Sequence, residues 1–174
     1  MLLNFSANSG KQVVFEGVTE YLKQQNLPVD KIDDTRPWGG FFVLDEAEAE
    51  KFISFHFPEL TREELSISGK LSPKILVVGP NKRLSWQYHH RRAEIWKLVQ
   101  GKAAVATSDT DLEKNTVTLN IGDIVKLKQG ERHRLIGLEG EWGVVAEIWM
   151  HTDHSNPSDE EDIVRLQDDF GRGR

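Results

Sequence analysis

From residue 73 onward, short apolar runs alternate with polar positions and are broken by turn residues. Examples are the segments 73–80 (PKILVVGP), 93–107 (AEIWKLVQGKAAVAT), 115–138 (NTVTLNIGDIVKLKQGERHRLIGL) and 141–151 (EWGVVAEIWMH). Turn signals recur roughly every 8–12 residues, which is the rhythm of an all-β sandwich or barrel. The pattern therefore predicts an all-β domain built from short strands.

The segments on either side of this region are less regular. Residues 11–25 combine a short β-like run, Gln12–Phe15, with a polar and weakly helical stretch. Residues 45–57 (DEAEAEKFISFHF) begin with helix formers and place apolar residues at helical spacing, which predicts a short helix. TREEL, after Pro58, predicts one more helical turn. The tail, 155–174, is predicted to be helical or irregular.

Composition narrows the class of protein. The 174 residues include 38% hydrophobic and 29% charged residues, which fits one soluble domain with a sizeable core. The net charge is −6 and the basic residues are interspersed with acids, so neither nucleic acid nor a membrane is expected as a partner. With no cysteine, disulfides and thiolate ligands are excluded. The start of the sequence lacks the features of a signal peptide, and we expect a cytoplasmic protein.

Residues 84–101 (LSWQYHHRRAEIWKLVQG) carry the candidate chemistry. On a strand, Gln87 and His89 would face the same side. Glu94 opens an otherwise apolar strand, and a buried carboxylate is costly unless it is paired or binds a metal. A glycine turn downstream can place His133 opposite these residues. The four side chains form either a hydrogen-bonded cluster or a site for Zn, Fe, Mn, Co or Ni.

Two segments resemble the paired motifs of the cupin superfamily. Residues 87–101 (QYHHRRAEIWKLVQG) have the spacing of the first motif, with Gln87 where a histidine is common. Residues 122–133 (GDIVKLKQGERH) have the spacing of the second motif, with Lys128 in place of its usual proline. Both motifs, in this order, imply a double-stranded β-helix, or jelly-roll, barrel.

A narrower resemblance is to the type II phosphomannose isomerases. Residues 84–103 look like the signature of that family, RPWG at 36–39 resembles an early motif, and the acidic DIVR and FGR elements of 161–172 resemble its tail. Arg91 and Ile95 stand where the family usually has histidines. The resemblance implies the isomerase domain without the guanylyltransferase domain that often precedes it.

The resemblance covers roughly residues 36–172, apart from the helical segment near 45–65, and it implies a set of site residues. The chain is expected to be a single cupin domain, 1–174, with an extension at 1–35, a barrel at 36–150 interrupted by a helical insertion near 45–65, and a tail at 151–174 packed on the barrel. The expected metal ligands, with zinc favoured, are Gln87, His89, Glu94 and His133. The expected catalytic residues are Arg92 and His90. The expected substrate-binding residues are Trp38, Lys74, Arg91 and Arg165.

Alternative interpretations stay open for several of these side chains. Arg91 could instead pair with the acidic tail, Lys74 could be a solvated strand lysine, and Trp38 could be a core residue. Trp96 is interpreted first as barrel packing. His151 lies in a polar, proline-containing stretch, which predicts a solvent-exposed loop.

The function implied is a metal-dependent sugar-phosphate isomerase that interconverts mannose 6-phosphate and fructose 6-phosphate through an enediolate. Two alternatives remain: another metal-dependent cupin that acts on a different sugar as an isomerase or lyase, and a sugar-binding cupin without turnover. The partner is expected to be a sugar or sugar phosphate, and a homodimer is possible.

Overall fold

A computed structural model of the protein describes residues 3–65 and 69–172. The helical elements are α1 (Lys11–Gln24), a 3-10 turn (Glu46–Glu48), α2 (Ala49–His56) and α3 (Arg62–Leu65). The strands are β1 (Val29–Asp33), β2 (Gly39–Leu44), β3 (Lys74–Val78), β4 (Trp86–Tyr88), β5 (Arg92–Gln100), β6 (Ala103–Ser108), β7 (Asn115–Thr118), β8 (Ile124–Leu127), β9 (Arg132–Gly137), β10 (Gly143–His151) and β11 (Val164–Gln167). None of these helices is long and apolar enough to cross a membrane.

The strands form two antiparallel sheets that face each other. One sheet has the order β1-β2-β3-β10-β5-β8, and the other has the order β11-β4-β9-β6-β7. Neighbouring strands in the sheets are often distant in sequence, as expected of a jelly roll. The predicted all-β barrel is therefore confirmed.

The central strands β3 and β10 of the six-stranded sheet are buried on both faces because their side chains alternate between two cores. On β10, Val145 faces the space between the sheets, where it joins Leu76, Leu98 and Leu135. Its neighbour Val144 points to the opposite face and packs with residues of α1 and α2. The N-terminal segment and the helical insertion thus cover the outer face of the sheet.

The expected β-like run at Gln12–Phe15 is wrong, because these residues lie in α1. Val14, Val18 and Leu22 are four residues apart and fully buried, so they form one apolar face that packs on the sheet. The helix predicted at 45–57 is confirmed by the 3-10 turn and α2, and the turn predicted in TREEL by α3. The expected helical or irregular tail contains a strand instead, because β11 gains its hydrogen bonds from β4.

The tight connection between β5 and β6 requires a glycine. Gly101 has a positive φ of 82°, a conformation that side chains rarely adopt. A Cβ added there would lie 1.8 Å from the backbone oxygen of Trp142. This turn brings the two sheets together at one end of the barrel.

Candidate functional site

The side chains with the expected ligand chemistry come from both sheets and converge between them. Gln87 lies on β4, His89 follows that strand directly, and His133 lies on β9 opposite Gln87 in the antiparallel ladder. Glu94 lies on β5 of the other sheet. Strand alternation turns all of these side chains inward, and each is at most 7% exposed.

His89, Glu94 and His133 form a compact cluster whose possible ligand atoms all lie within 4.8 Å of one another. Nε2 of His89 is 3.2 Å from Oε1 of Glu94, and Nε2 of His133 is 3.6 Å from Oε2. Nδ1 of His89 donates to the backbone oxygen of Asp162 at 2.7 Å, and Nδ1 of His133 donates to that of Glu131 at 2.9 Å. Because a carbonyl oxygen only accepts, each ring carries a hydrogen on Nδ1 and turns Nε2, the atom that can bind a metal, toward the cluster.

Two polar atoms of the cluster are buried without a hydrogen bond within the part of the chain that the structure describes. These atoms are Nε2 of His133 and Oε2 of Glu94. Burial lowers the pKa of His133 to about 4, so its imidazole is neutral at physiological pH. Burial alone would raise the pKa of Glu94, but His89 and Arg92 outweigh it and hold that pKa well below its ordinary value. Neutral imidazoles and a carboxylate are suitable metal ligands, so the cluster fits a divalent cation.

Gln87 lies beside the cluster with its amide oxygen turned away and its amide nitrogen facing His89. Its Oε1 accepts from Ser85 Oγ at 2.7 Å, and its Nε2 lies 3.4 Å from Nε2 of His89. Ligation through oxygen therefore requires the amide to rotate, which Ser85 allows because a hydroxyl both donates and accepts.

The guanidinium of Arg92 lies against the cluster. Its Nε donates to Oε1 of Glu94 at 2.8 Å, and its Nη1 donates to Ser158 Oγ at 2.8 Å. Its central carbon lies 3.7 Å from the centre of the Trp149 ring, and the residue is 5% exposed. Arg92 is thus fixed by the cluster on one side and by the tail on the other.

The structure separates Arg92 from its two neighbours in sequence. His90 is exposed, packs edge-on against Tyr88 and does not line the cavity, so it is not positioned to act on a molecule bound there. Arg91 is half-buried, pairs with Asp159 at 3.4 Å and also lies outside the cavity lining. Of these neighbouring residues, Arg92 reaches the cavity.

The cavity beside the cluster is lined by three of the side chains expected to bind substrate: Trp38, Lys74 and Arg165. Lys74 is 4% exposed, is paired with Glu160 and places its Nζ 3.8 Å from the centre of the Trp149 ring. It is therefore a buried cavity cation, not a solvated lysine.

Three arginines from separate segments line this same cavity. Arg36 precedes β2 and pairs with Asp33, Arg165 lies on β11, and Arg172 pairs with Asp168. Burial lowers the pKa of Arg165, and the positive charges of Arg172 and Arg36 lower it further. An anion that entered this cavity would be stabilised by these guanidinium groups.

The cavity also contains a carboxylate that sequence reasoning missed. Glu147 is 4% exposed, and its two oxygens accept from the indole nitrogens of Trp96 and Trp149 at 2.7 and 2.9 Å. Burial, reinforced by the charge of Glu94, raises its pKa to about 8. The sequence did carry a signal for this residue: Glu147 is a lone carboxylate in the apolar run GVVAEIWM, just as Glu94 is a lone carboxylate in its own strand.

Known proteins resemble this chain in sequence. The family model described as mannose-6-phosphate isomerase C-terminal matches residues 23–168. The chain is 28% identical over 126 residues to the alginate biosynthesis protein AlgA of Pseudomonas aeruginosa, and 27% identical over 140 residues to the xanthan biosynthesis protein XanB of Xanthomonas campestris pv. campestris. These matches cover 72% and 79% of this chain but 24% and 23% of the relatives. The chain thus spans about a quarter of their length.

Solved structures resemble it in fold. The capsular polysaccharide assembling protein CapF of Staphylococcus aureus matches 80% of this chain and 34% of its own, with a TM-score of 0.52 and 13% identity. Vicilin of Corylus avellana matches 80% of this chain and 36% of its own, with a TM-score of 0.52 and 15% identity. These likenesses confirm the cupin jelly roll and concern the fold alone.

Proposed function

The chain belongs to the mannose-6-phosphate isomerase C-terminal family, and from that membership and the contents of its cavity we propose that it is a metal-dependent sugar-phosphate isomerase. The reaction proposed is the interconversion of mannose 6-phosphate and fructose 6-phosphate. The observation that carries the proposal is a single cavity that reaches the His89, Glu94 and His133 cluster at Glu94 and is also lined by a group of arginines.

These two features match the two chemical demands of the substrate. The arginine group, Arg36, Arg165 and Arg172, supplies the positive charge that a phosphate requires. Arg92 lies beside the cluster, where it would stabilise negative charge that develops on a sugar oxygen. Trp38 and Trp149 add aromatic surface to the lining of the same cavity.

Zinc is the cation proposed for the cluster. Two histidines and a glutamate are a ligand set of catalytic zinc sites, and the Gln87 oxygen would complete it after rotation of its amide. When bound, a divalent cation polarises a carbonyl and the neighbouring hydroxyl, which makes the proton on the adjacent carbon more acidic.

Metal content gives the first test. Zinc measured by plasma mass spectrometry is expected in the wild-type protein and lost in His89→Ala and His133→Ala. His154→Ala is the matched control, since His154 is exposed and outside the cluster. Equal metal content in all four proteins would reject the ligand set.

Turnover gives the second test. The metal-loaded chain is expected to convert mannose 6-phosphate to fructose 6-phosphate in a coupled assay. Arg165→Gln is expected to raise KM for the sugar phosphate while metal content stays unchanged. Absence of turnover on mannose 6-phosphate and on other hexose and pentose phosphates would reject the isomerase.

A second candidate, a sugar-binding cupin without turnover, is favoured by one observation. Arg92 already places a cation on Oε1 of Glu94 and lies 3.3 Å from Nε2 of His89, so the cluster has internal charge compensation. Calorimetry that detects sugar phosphate binding to a metal-free, inactive protein would favour this candidate.

A further inference from the structure

Glu147 is the buried carboxylate of the cavity that the proposed metal site does not use. It lies on β10, where its register partners are Trp96 on β5 and Lys74 on β3. Its side chain faces the space between the sheets and lines the same cavity as Glu94. A molecule bound against the metal cluster would therefore lie within the cavity that Glu147 also lines.

Glu147 is held by neutral donors on both of its oxygens. The indole nitrogen of Trp96 donates to Oε2 at 2.7 Å, and that of Trp149 donates to Oε1 at 2.9 Å. Among the described residues, no cationic side chain forms an ion pair with it, and its neighbour Lys74 pairs with Glu160 instead. Burying a carboxylate without an ion pair lowers the free energy of unfolding, so a purely structural role would destabilise the protein.

The surroundings of the two buried carboxylates push their protonation in opposite directions. Glu94 stays ionised beside imidazole and guanidinium groups. Burial and the charge of Glu94 raise the pKa of Glu147 to about 8, while Lys74, Arg92 and Trp96 oppose the rise. A buried carboxyl group that lines the cavity and is held by neutral indole donors is suited to general acid–base catalysis.

Resting on the proposed isomerase function, we infer that Glu147 is the catalytic residue that carries the proton between C2 and C1 of the open-chain sugar phosphate. Its carboxylate takes the proton from C2, the C2–H electron pair forms the C1=C2 bond, and the carbonyl pair moves to O1. The O2 proton passes to O1, the C2=O2 bond forms, and C1 takes the proton back from Glu147. The carboxylate is regenerated, and no other reactant is consumed.

This assignment fills the role that the sequence left to His90. His90 is exposed and lies outside the cavity, whereas Glu147 lines it. Glu160 also lines the cavity, but its side chain is 42% exposed and is paired with Lys74. Glu147 is the better-positioned carboxylate because two rigid indoles fix both of its oxygens.

The test uses the metal-loaded full chain, mannose 6-phosphate and deuterated water. Glu147→Gln is expected to lower kcat by about 10²- to 10⁴-fold, with KM changed less than about threefold. Its metal content should equal that of the wild type, and deuterium should no longer enter C1 of fructose 6-phosphate. Glu113→Gln is the matched control, because Glu113 pairs with Arg134 outside the cavity and should leave kcat unchanged.

The outcomes separate the inference from the function on which it rests. A wild-type chain that neither converts nor exchanges any sugar phosphate overturns both proposals. An active wild type with a Glu147→Gln variant of similar kcat overturns the Glu147 assignment alone. Should that variant fail to fold, Glu147→Asp decides: a folded variant with reduced or absent turnover supports the assignment, and one with wild-type kcat overturns it.

Discussion

Replacing Asp162 by Asn should loosen the tail from the barrel and weaken the proposed metal site. Oδ1 of Asp162 accepts from the backbone nitrogen of His90 at 2.9 Å, and Oδ2 accepts from that of Arg91 at 3.0 Å and from Ser158 Oγ at 2.6 Å. Its backbone oxygen accepts from Nδ1 of His89 at 2.7 Å. One residue therefore fixes the loop, the tail and a predicted metal ligand.

The size of the effect follows from the hydrogen bonds that the carboxylate of Asp162 accepts. In Asp162→Asn the amide nitrogen must replace one oxygen, so the backbone nitrogen of either His90 or Arg91 faces another donor. A hydrogen bond to a charged group contributes about 1.5–3 kcal/mol, and the remaining bonds lose their charge assistance. We expect a loss of about 2–4 kcal/mol in the free energy of unfolding, which lowers the Tm of a protein of this size by about 5–15 °C.

Thermal unfolding followed by circular dichroism measures the loss in stability, and zinc titration measures the site. Displacement of a group that orients a metal-bound histidine typically costs about 10–100-fold in metal affinity. Asp153→Asn is the matched control: Asp153 also accepts from a backbone nitrogen and a serine hydroxyl, both of Ser155, but it is exposed and should leave Tm unchanged. If Asp162→Asn behaved like this control, the tail would not support the site.

Three further predictions concern the fold. Phe52→Ala should lower the free energy of unfolding, measured by urea denaturation, by about 3–5 kcal/mol because the Phe52 ring is fully buried. Phe55→Ala is the control and should lower it far less, because Phe55 is exposed. Similar losses in both variants would contradict the placement of α2. Burial lowers the pKa of His56 from 6.5 to about 4, so the free energy of unfolding should fall as the pH drops through that interval. His56→Gln should reduce this pH dependence, which denaturant titrations at several pH values measure. Gly101→Ala should lower Tm because of its positive φ and the nearby Trp142 oxygen; an unchanged Tm would contradict this turn.

The alternation of side chains along a strand is sufficient to predict which of the candidate metal ligands face the same side. A period of two fixes which side chains share a face, so the sequence alone assigns Gln87 and His89 to one side of a strand. The glycine turn before His133 adds the opposite strand. Glu147 carries the same kind of signal as Glu94, but no motif draws attention to it. What one strand cannot reveal is the pairing of β10 with β5, which brings Glu147 into the cavity.

The wrong predictions share a physical cause. In each, contacts between residues distant in sequence determine the secondary structure or the burial of the segment. Gln12–Phe15 has the β-branched residues of a strand, yet it is helical because Val14 and Val18 pack on the outer face of the sheet. His151 is expected in solvent, but it is fully buried: its Nδ1 accepts from the backbone nitrogen of Ser158 at 2.9 Å, and its Nε2 lies 2.9 Å from Ser72 Oγ. The polar residues around His151 predict an exposed side chain, but the C-terminal tail packs against it and buries it.

Two of the three tryptophans that line the cavity help to explain how one barrel can keep two carboxylates in different states. The sequence assigns Trp96 to packing and does not single out Trp149, yet both donate their indole hydrogens to Glu147. Because an indole nitrogen carries no charge, its hydrogen bond orients this carboxylate and opposes the rise in its pKa less than burial and the charge of Glu94 promote that rise. Glu94, by contrast, lies against Arg92 and His89, which favour its ionised form. The proposed division of labour, with Glu94 as a ligand and Glu147 as a proton carrier, therefore depends on which donors each strand places beside each carboxylate.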